Sequence, residues 1–200
     1  MKKHIVSTIV LVCFGVILSG CSKDKIDSLT KMEVTENTVM LMKDGAMQSS
    51  IVEDFDKDYY DKAELETFIN DTITEYEKVN GEDTVKLESL KVSNQKATAT
   101  FSFKTVNDFN SFEDKESNVL TKEEALTDER VMESLTSVDS SEEVATAEAL
   151  TDKKQTIYVI VATGEDVRVE GNILYYGNGE LKDKNTVKTG SEGYTVVVFE

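Results

Sequence analysis

The cleanest alternation in the chain sets Ala97, Ala99, Phe101 and Phe103 against Thr98, Thr100, Ser102 and Lys104. It predicts a strand with one buried and one wet face. Upstream, Thr84 to Val92 carries Val85 and Leu87 on one parity and Leu90 and Val92 on the other, so a bulge is expected near Glu88-Ser89. Ser93-Asn94-Gln95-Lys96 joins the two strands. Val39 to Met42 and Met47 to Phe55 read as an earlier hairpin about Lys43-Asp44-Gly45-Ala46, since Asp-Gly tolerates the positive φ of a tight turn. Between the hairpins the period becomes helical, from about Lys62 to Val79. Leu65, Phe68, Ile69, Thr72, Ile73, Tyr76 and Val79 fall on one face. Asp61 is the expected N-cap, with Glu64 completing a capping box, and Asn80-Gly81 is the stop.

Val106, Phe109 and Phe112 then predict a short helix. From Glu113 to Asp152 the pattern weakens and thirteen acids face only Lys115, Lys122 and Arg130. The expectation there is one or two short helices, one opening at Thr121-Lys122-Glu123-Glu124, inside a long, mobile acidic insert. Thr156 to Thr163 is apolar almost throughout and bounded by Gly164, which predicts a central strand buried on both faces. Val167 and Val169 read as pairing with Ile173 to Tyr176 about Gly171-Asn172, Leu181 to Lys188 as a Lys-rich edge strand, and Tyr194 to Phe199 as the closing strand. This order argues an α+β fold. One mostly antiparallel sheet is built from hairpins, the long amphipathic helix packs on a face, and the acidic helical or loop insert is appended.

The first residues follow another logic. Lys2 and Lys3 precede an uncharged, mostly apolar run from Ile5 to Leu18. As a helix it would span roughly 21 Å, short of the ~30 Å hydrocarbon core, which fits an export signal better than a membrane span. Leu18-Ser19-Gly20-Cys21 closes the run. It resembles the lipobox of bacterial lipoproteins. That resemblance implies cleavage before Cys21 and a diacylglyceryl group on its thiol. Two acyl chains, at ~0.8 kcal/mol per buried methylene, hold a protein stably without a transmembrane helix. Residues 1–20 are thus expected to be a cleaved signal peptide, 21–31 a lipidated tether, and 32–200 a single domain with its acidic insert at about 113–152. The short tether (SKDKIDSLTK) places the domain near the membrane, facing outside the cytoplasm.

Composition narrows the chemistry. The chain from Cys21 onward has 39 acids and all but two of the 22 Lys and Arg, a formal charge of −19. That argues against nucleic acid as a partner, which needs clustered cations; it fits solubility at a crowded surface, with a basic peptide, a cationic polymer or a divalent cation as the alternative reading. The single His, His4, and Cys13 lie in the signal, and there is no Trp or Pro. The domain therefore has no Ser-His-Asp or Cys-His catalysis, thiol redox chemistry, or zinc site built on His or Cys. No catalytic, cofactor-binding or metal-binding residue is assigned, and Cys21 is the only functional residue expected.

Asp54, Asp56 and Asp58 have the opening spacing of a calcium loop, but Tyr59 and Leu65 occupy its Gly and bidentate Glu positions. Tyr59-Tyr60 and Tyr175-Tyr176 suggest an aromatic platform for a sugar or peptide, or simply core packing. Gly164-Glu165-Asp166 and Gly177-Asn178-Gly179 read as turns. The stretch from Asp44-Gly45 through IVEDFDKDYYDKAELETFI resembles uncharacterised lipoproteins of low-GC Gram-positive bacteria over roughly Val39 to Phe103. The resemblance implies location and supplies no activity. The expectation is a non-enzymatic binding or structural module at the cell envelope, partnered by the membrane through Cys21 and by an envelope protein or cation. The alternative is a hydrolase working with carboxylates alone. A pocket with facing carboxylates of raised pKa would favour the enzyme, and a shallow apolar patch the binder.

Overall fold

The computed structural model describes residues 27–200. The expected signal peptide, Cys21 and the first part of the tether lie outside the described residues. Strands β1 (Thr38–Leu41) and β2 (Met47–Asp54) precede helix α1 (Lys62–Asn80), which is followed by β3 (Val85–Ser93), β4 (Lys96–Phe103) and α2 (Val106–Glu113). Then come β5 (Ser117–Leu120), α3 (Lys122–Ala125), β6 (Ser134–Ser137), β7 (Glu143–Ala145), α4 (Thr146–Ala149) and β8 (Thr156–Val161). The chain closes with β9 (Asp166–Val169), β10 (Ile173–Gly177), β11 (Gly179–Asp183), β12 (Thr186–Thr189) and β13 (Tyr194–Phe199). The protein is thus mixed α/β with mostly antiparallel sheets.

Two sheets form where the sequence predicted one. The first has seven strands in the order β11-β12-β9-β1-β2-β4-β3, and the second six in the order β5-β8-β13-β10-β6-β7. The β1–β2 hairpin turns as expected: Gly45 takes φ 86°, and Asp44 Oδ1 accepts from Ala46 N at 3.0 Å. The β3–β4 ladder slips between Leu87 and Ser89, which is the bulge that lets both apolar parities of β3 reach one core. β1 and β9 pair in parallel, Thr38 against Asp166 through Leu41 against Val169.

The second sheet is built on β8 and β13, paired antiparallel from Tyr194 against Val161 to Phe199 against Thr156. Successive side chains point to opposite faces. Tyr158, Ile160, Val197 and Phe199 enter a core shared with Val39, Phe103 and Val167 of the first sheet. Ile157, Val159, Val196 and Val198 enter a second core with Leu135, Ala149 and Leu150. An unbroken apolar sequence is what burial on both faces requires.

Three local expectations fail for identifiable reasons. β9 and β10 are not partners: β9 lies in the first sheet and β10 in the second. The Gly171 backbone crosses between them so close to the C-terminus that a Cβ there would sit 2.5 Å from the Glu200 carbonyl oxygen. Next, the stretch after Glu113 is not a loose excursion. β5 pairs with β8, β6 with both β10 and β7, and Ala125, Leu135, Ala149 and Leu150 cover the outer face of the second sheet. Arg130 ties it down, donating to both Asp128 oxygens from Nε (2.9 and 3.2 Å) and to Asn118 (2.6 Å), and stacking 5.7 Å from the Tyr194 ring centroid. Finally, α1 uses a narrower face than its sequence offers. Ile69 and Ile73 are buried and Leu65 and Tyr76 pack beside them, but Phe68 is 68% exposed and Val79 84% exposed. Asp61 caps the helix by accepting from the Ala63 and Glu64 amides, and Gly81 ends it at φ 103°.

The described chain enters along the outer face of the first sheet. Ser28 Oγ and Leu29 N both donate to Gln48 Oε1, at 2.9 and 3.0 Å. We predict that Gly171→Ala lowers stability by about 2–4 kcal/mol, because the added carbon must displace main chain rather than a flexible side chain. Urea unfolding measures this; an unchanged midpoint would contradict the crossing described here.

Candidate functional site

The site begins at the end of α2. Thr105 caps that helix by accepting from Asp108 N at 3.2 Å, and Asp114 ends it in the left-handed conformation (φ 51°, ψ 47°). Lys115 N donates back to the Asn110 carbonyl at 3.0 Å. The Asn110 side chain donates to the Ser117 carbonyl and accepts from Ser117 Oγ, both at 2.7 Å. This reciprocal pair binds α2 to β5 and fixes the turn carrying Glu113 and Lys115.

A second turn, just before β9, supplies Glu165. The Thr189 hydroxyl oxygen accepts from three successive amides: Thr163 (3.3 Å), Gly164 (2.9 Å) and Glu165 (3.1 Å). Gly164 takes φ 76° within it. Three converging donors hold the turn rigidly, so the buried Glu165 has little freedom. Lys115 Nζ meets both its oxygens, at 3.0 and 2.9 Å.

Glu113, Lys115 and Glu165 line a cavity of about 210 Å³ between α2 and strands β1 and β2. Its other polar lining residues are Asn37, Thr38, Ser49 and Ser50, and its apolar ones are Val39, Ile51 and Phe112. The Ser49 hydroxyl donates to Glu113 Oε1. Burial pushes the Glu113 carboxyl up to about 7; the Ser49 hydrogen bond and the Lys115 charge pull it down, while the Glu165 charge pushes it further up. Tyr158 lies beneath, fully buried. Burial holds its phenol above the ordinary range, Ser117 acts the other way, and the Glu165 and Glu113 charges add to the rise.

The arrangement holds one carboxyl that changes protonation near neutrality beside a carboxylate already neutralised by an ammonium. Glu113 is therefore a hydrogen-bond donor in mild acid and an anion in mild base, the behaviour of a proton-exchanging group. Glu165 is committed to Lys115. The facing pair of free carboxylates that would mark an enzyme is met by Glu113 alone.

None of these residues was singled out in the sequence. Glu165 read as turn chemistry, and Glu113 and Lys115 as the edge of the acidic insert. The contacts link residues 64 and 50 positions apart, so no local spacing carries them. The candidates that were singled out lie elsewhere. Asp54 pairs with Lys96 at 2.7 Å and Asp56 with Lys57 at 2.9 Å, and no group of three potential metal ligands occurs among the described residues. Tyr175 and Tyr176 face opposite cores. Tyr59 and Tyr60 do form a surface aromatic group, Tyr60 lying 5.0 Å from both Tyr59 and Phe55 between ring centroids. Comparison of the chain with models of known families, with characterised proteins and with solved structures finds no match in any of the three.

The folded pKa of Glu113 lies above its ordinary value of 4.5. Its neutral form thus supports the fold fully below that value, and the support is lost as pH rises through about 7. Glu113→Gln is expected to match the wild type at pH 4 and to exceed it by roughly 2–3 kcal/mol at pH 8 in urea unfolding. Parallel stability curves for the two proteins would refute the burial argument. Lys115→Met, which strands the buried Glu165 charge, should cost about 3–5 kcal/mol, and adding Glu165→Gln should restore most of it. A double variant no more stable than Lys115→Met would show that the pair is not the source of the loss.

Proposed function

We propose that this protein is a lipid-anchored, extracytoplasmic binding module of the cell envelope and not an enzyme. The observation that carries binding is the cavity between Val39, Ser49 and Ile51 of the first sheet and the end of α2, where Phe112, Glu113 and the Lys115–Glu165 pair complete the lining. Its polar groups are held by rigid elements, as a preformed ligand site requires. Anchoring rests on Leu18-Ser19-Gly20-Cys21 and on the likeness to lipoproteins of low-GC Gram-positive bacteria. Among the described residues no helix is long and apolar enough to cross a membrane. From Cys21 to Ser28, which docks on the first sheet, the chain reaches at most about 25 Å, so the module would sit close above the bilayer.

Two finer structural readings belong with this one. α1 acts as an amphipathic cover on the β3 side of the first sheet, supported by the burial of Ile69 and Ile73. The acidic stretch acts as a cover for the second sheet, supported by the burial of Ala125 and Ala149. Exposed Tyr59, Phe68 and Val79 lie among Asp58, Glu64, Asp71 and Glu75, a surface suited to a cationic envelope protein and unsuited to nucleic acid.

Two measurements test the proposal. Fatty-acid labelling of the expressed protein should disappear in Cys21→Ala; normal labelling of that variant would remove the anchor. In-cell crosslinking should recover a specific envelope partner with the wild type, and recovery of none would count against the binding module. The hydrolase reading draws on Glu113 alone. Release of soluble fragments from purified wall polymer, abolished by Glu113→Gln, would favour it.

A further inference from the structure

Within the cavity, Glu113 holds the one carboxyl not already matched by a cation. Around it stand Ser49 from β2, Lys115 beyond α2, Glu165 before β9 and Tyr158 of β8. Lys115 is spent on Glu165 through two contacts. With Glu113 ionised, the three charged groups sum to one negative charge in a partly buried place, a state that is costly unless a cation or a proton neutralises it. Among the acceptors of the cavity are the carboxyl oxygens and the Ser49 hydroxyl, whose proton already goes to Glu113. Apolar surface borders them: Val39 and Ile51 lie beside Ser49 on the sheet, and Phe112 precedes Glu113 on α2.

We propose that the cavity binds a primary alkylammonium group, its N–H donors directed to Glu113 and Ser49 and its aliphatic stem lying against Val39, Ile51 and Phe112. This deepens, and rests on, the reading of the cavity as a binding site. Other ligand classes fit less well. A divalent cation calls for six or more oxygen ligands, and no three-acid cluster is present among the described residues. A quaternary ammonium calls for an aromatic cage, and Phe112 is the single aromatic in the wall. A carboxylate ligand would have to take Lys115 from Glu165. A volume of about 210 Å³ suits a short stem. The ammonium replaces the proton on Glu113, so binding releases a proton near neutrality without any covalent change.

The test is calorimetric titration of the folded domain, residues 22–200, with n-butylammonium and with Nα-acetyl-lysine methylamide, in two buffers of different ionisation enthalpy. The wild type should bind at least one of them. Affinity should rise up to tenfold per pH unit below about 7 and level off above it, with a proton released to buffer. Glu113→Gln should weaken binding at least tenfold and abolish the pH dependence, with Glu113→Asp intermediate. Binding of butylammonium alone identifies a free amine as the source, and binding of the lysine derivative a side chain on a peptide. Absence of binding to the wild type overturns the proposal. So does equal binding to Glu113→Gln, or equal binding of tetramethylammonium or Ca²⁺, which would reflect the general acidity of the surface. If the amines fail while crosslinking still recovers a partner with Glu113→Gln, the ammonium site falls and the binding module stands.

Discussion

The structure depends on the burial of β8 and β13 on both faces. Each strand alternates its side chains between two cores, so neither face can be left to water. Four side chains of this pair, Tyr158, Ile160, Val197 and Phe199, join the core against the first sheet. Four more, Ile157, Val159, Val196 and Val198, need a second cover. At roughly 1.5–3 kcal/mol for each large apolar side chain taken from water, exposing either face would unfold a domain of ordinary stability. Ala125, Leu135, Ala149 and Leu150, from a stretch whose composition on its own favours solvation, pack in that second core.

The cavity is a consequence of the same arrangement. β5 pairs with β8, and Glu113 at the end of α2 and Lys115 in the turn lead into β5. β9 pairs with β1 in parallel, and the turn leading into β9 carries Glu165. The two turns meet where the first sheet, the second sheet and α2 converge. Charged groups held there cannot rearrange freely. Lys115 and Glu165 answer their burial by pairing, and Glu113 answers it by keeping its proton to a higher pH. The site's chemistry follows from where the backbone puts these carboxylates more than from what residues they are.

The parts of this fold that show in the sequence are those fixed by neighbours. The Asp44-Gly45 turn, the clean alternation ending at Phe103, the slip at Leu87–Ser89 and the ends of the helix after Asp61 are all specified within a few residues. The unbroken run after Thr156 announces a strand with two covered faces. What does not show is set by distant pairing. β6 and β7 are short and polar, Ser134–Ser137 and Glu143–Ala145, so they lack the apolar alternation that marks a strand. Val169 and Ile173 are separated by the three residues Glu170-Gly171-Asn172, as a hairpin would place them, but belong to different sheets. The surplus of apolar positions on α1, with Phe68 and Val79 left outside, reflects a face wider than the fold covers. The cavity residues were silent for the same reason: Ser49, Glu113 and Glu165 acquire meaning only when three separate segments meet.

Glu113 is a half-buried carboxyl, kept largely protonated into the neutral range beside a neutralised ion pair. The most direct measurement is the carbon-13 resonance of its side-chain carboxyl followed across pH, assigned by its loss in Glu113→Gln. A midpoint near 7, well separated from those of the surface glutamates, is the expected result. A midpoint at the ordinary value near 4.5 would mean that water reaches the group freely, and the cavity as described would not exist.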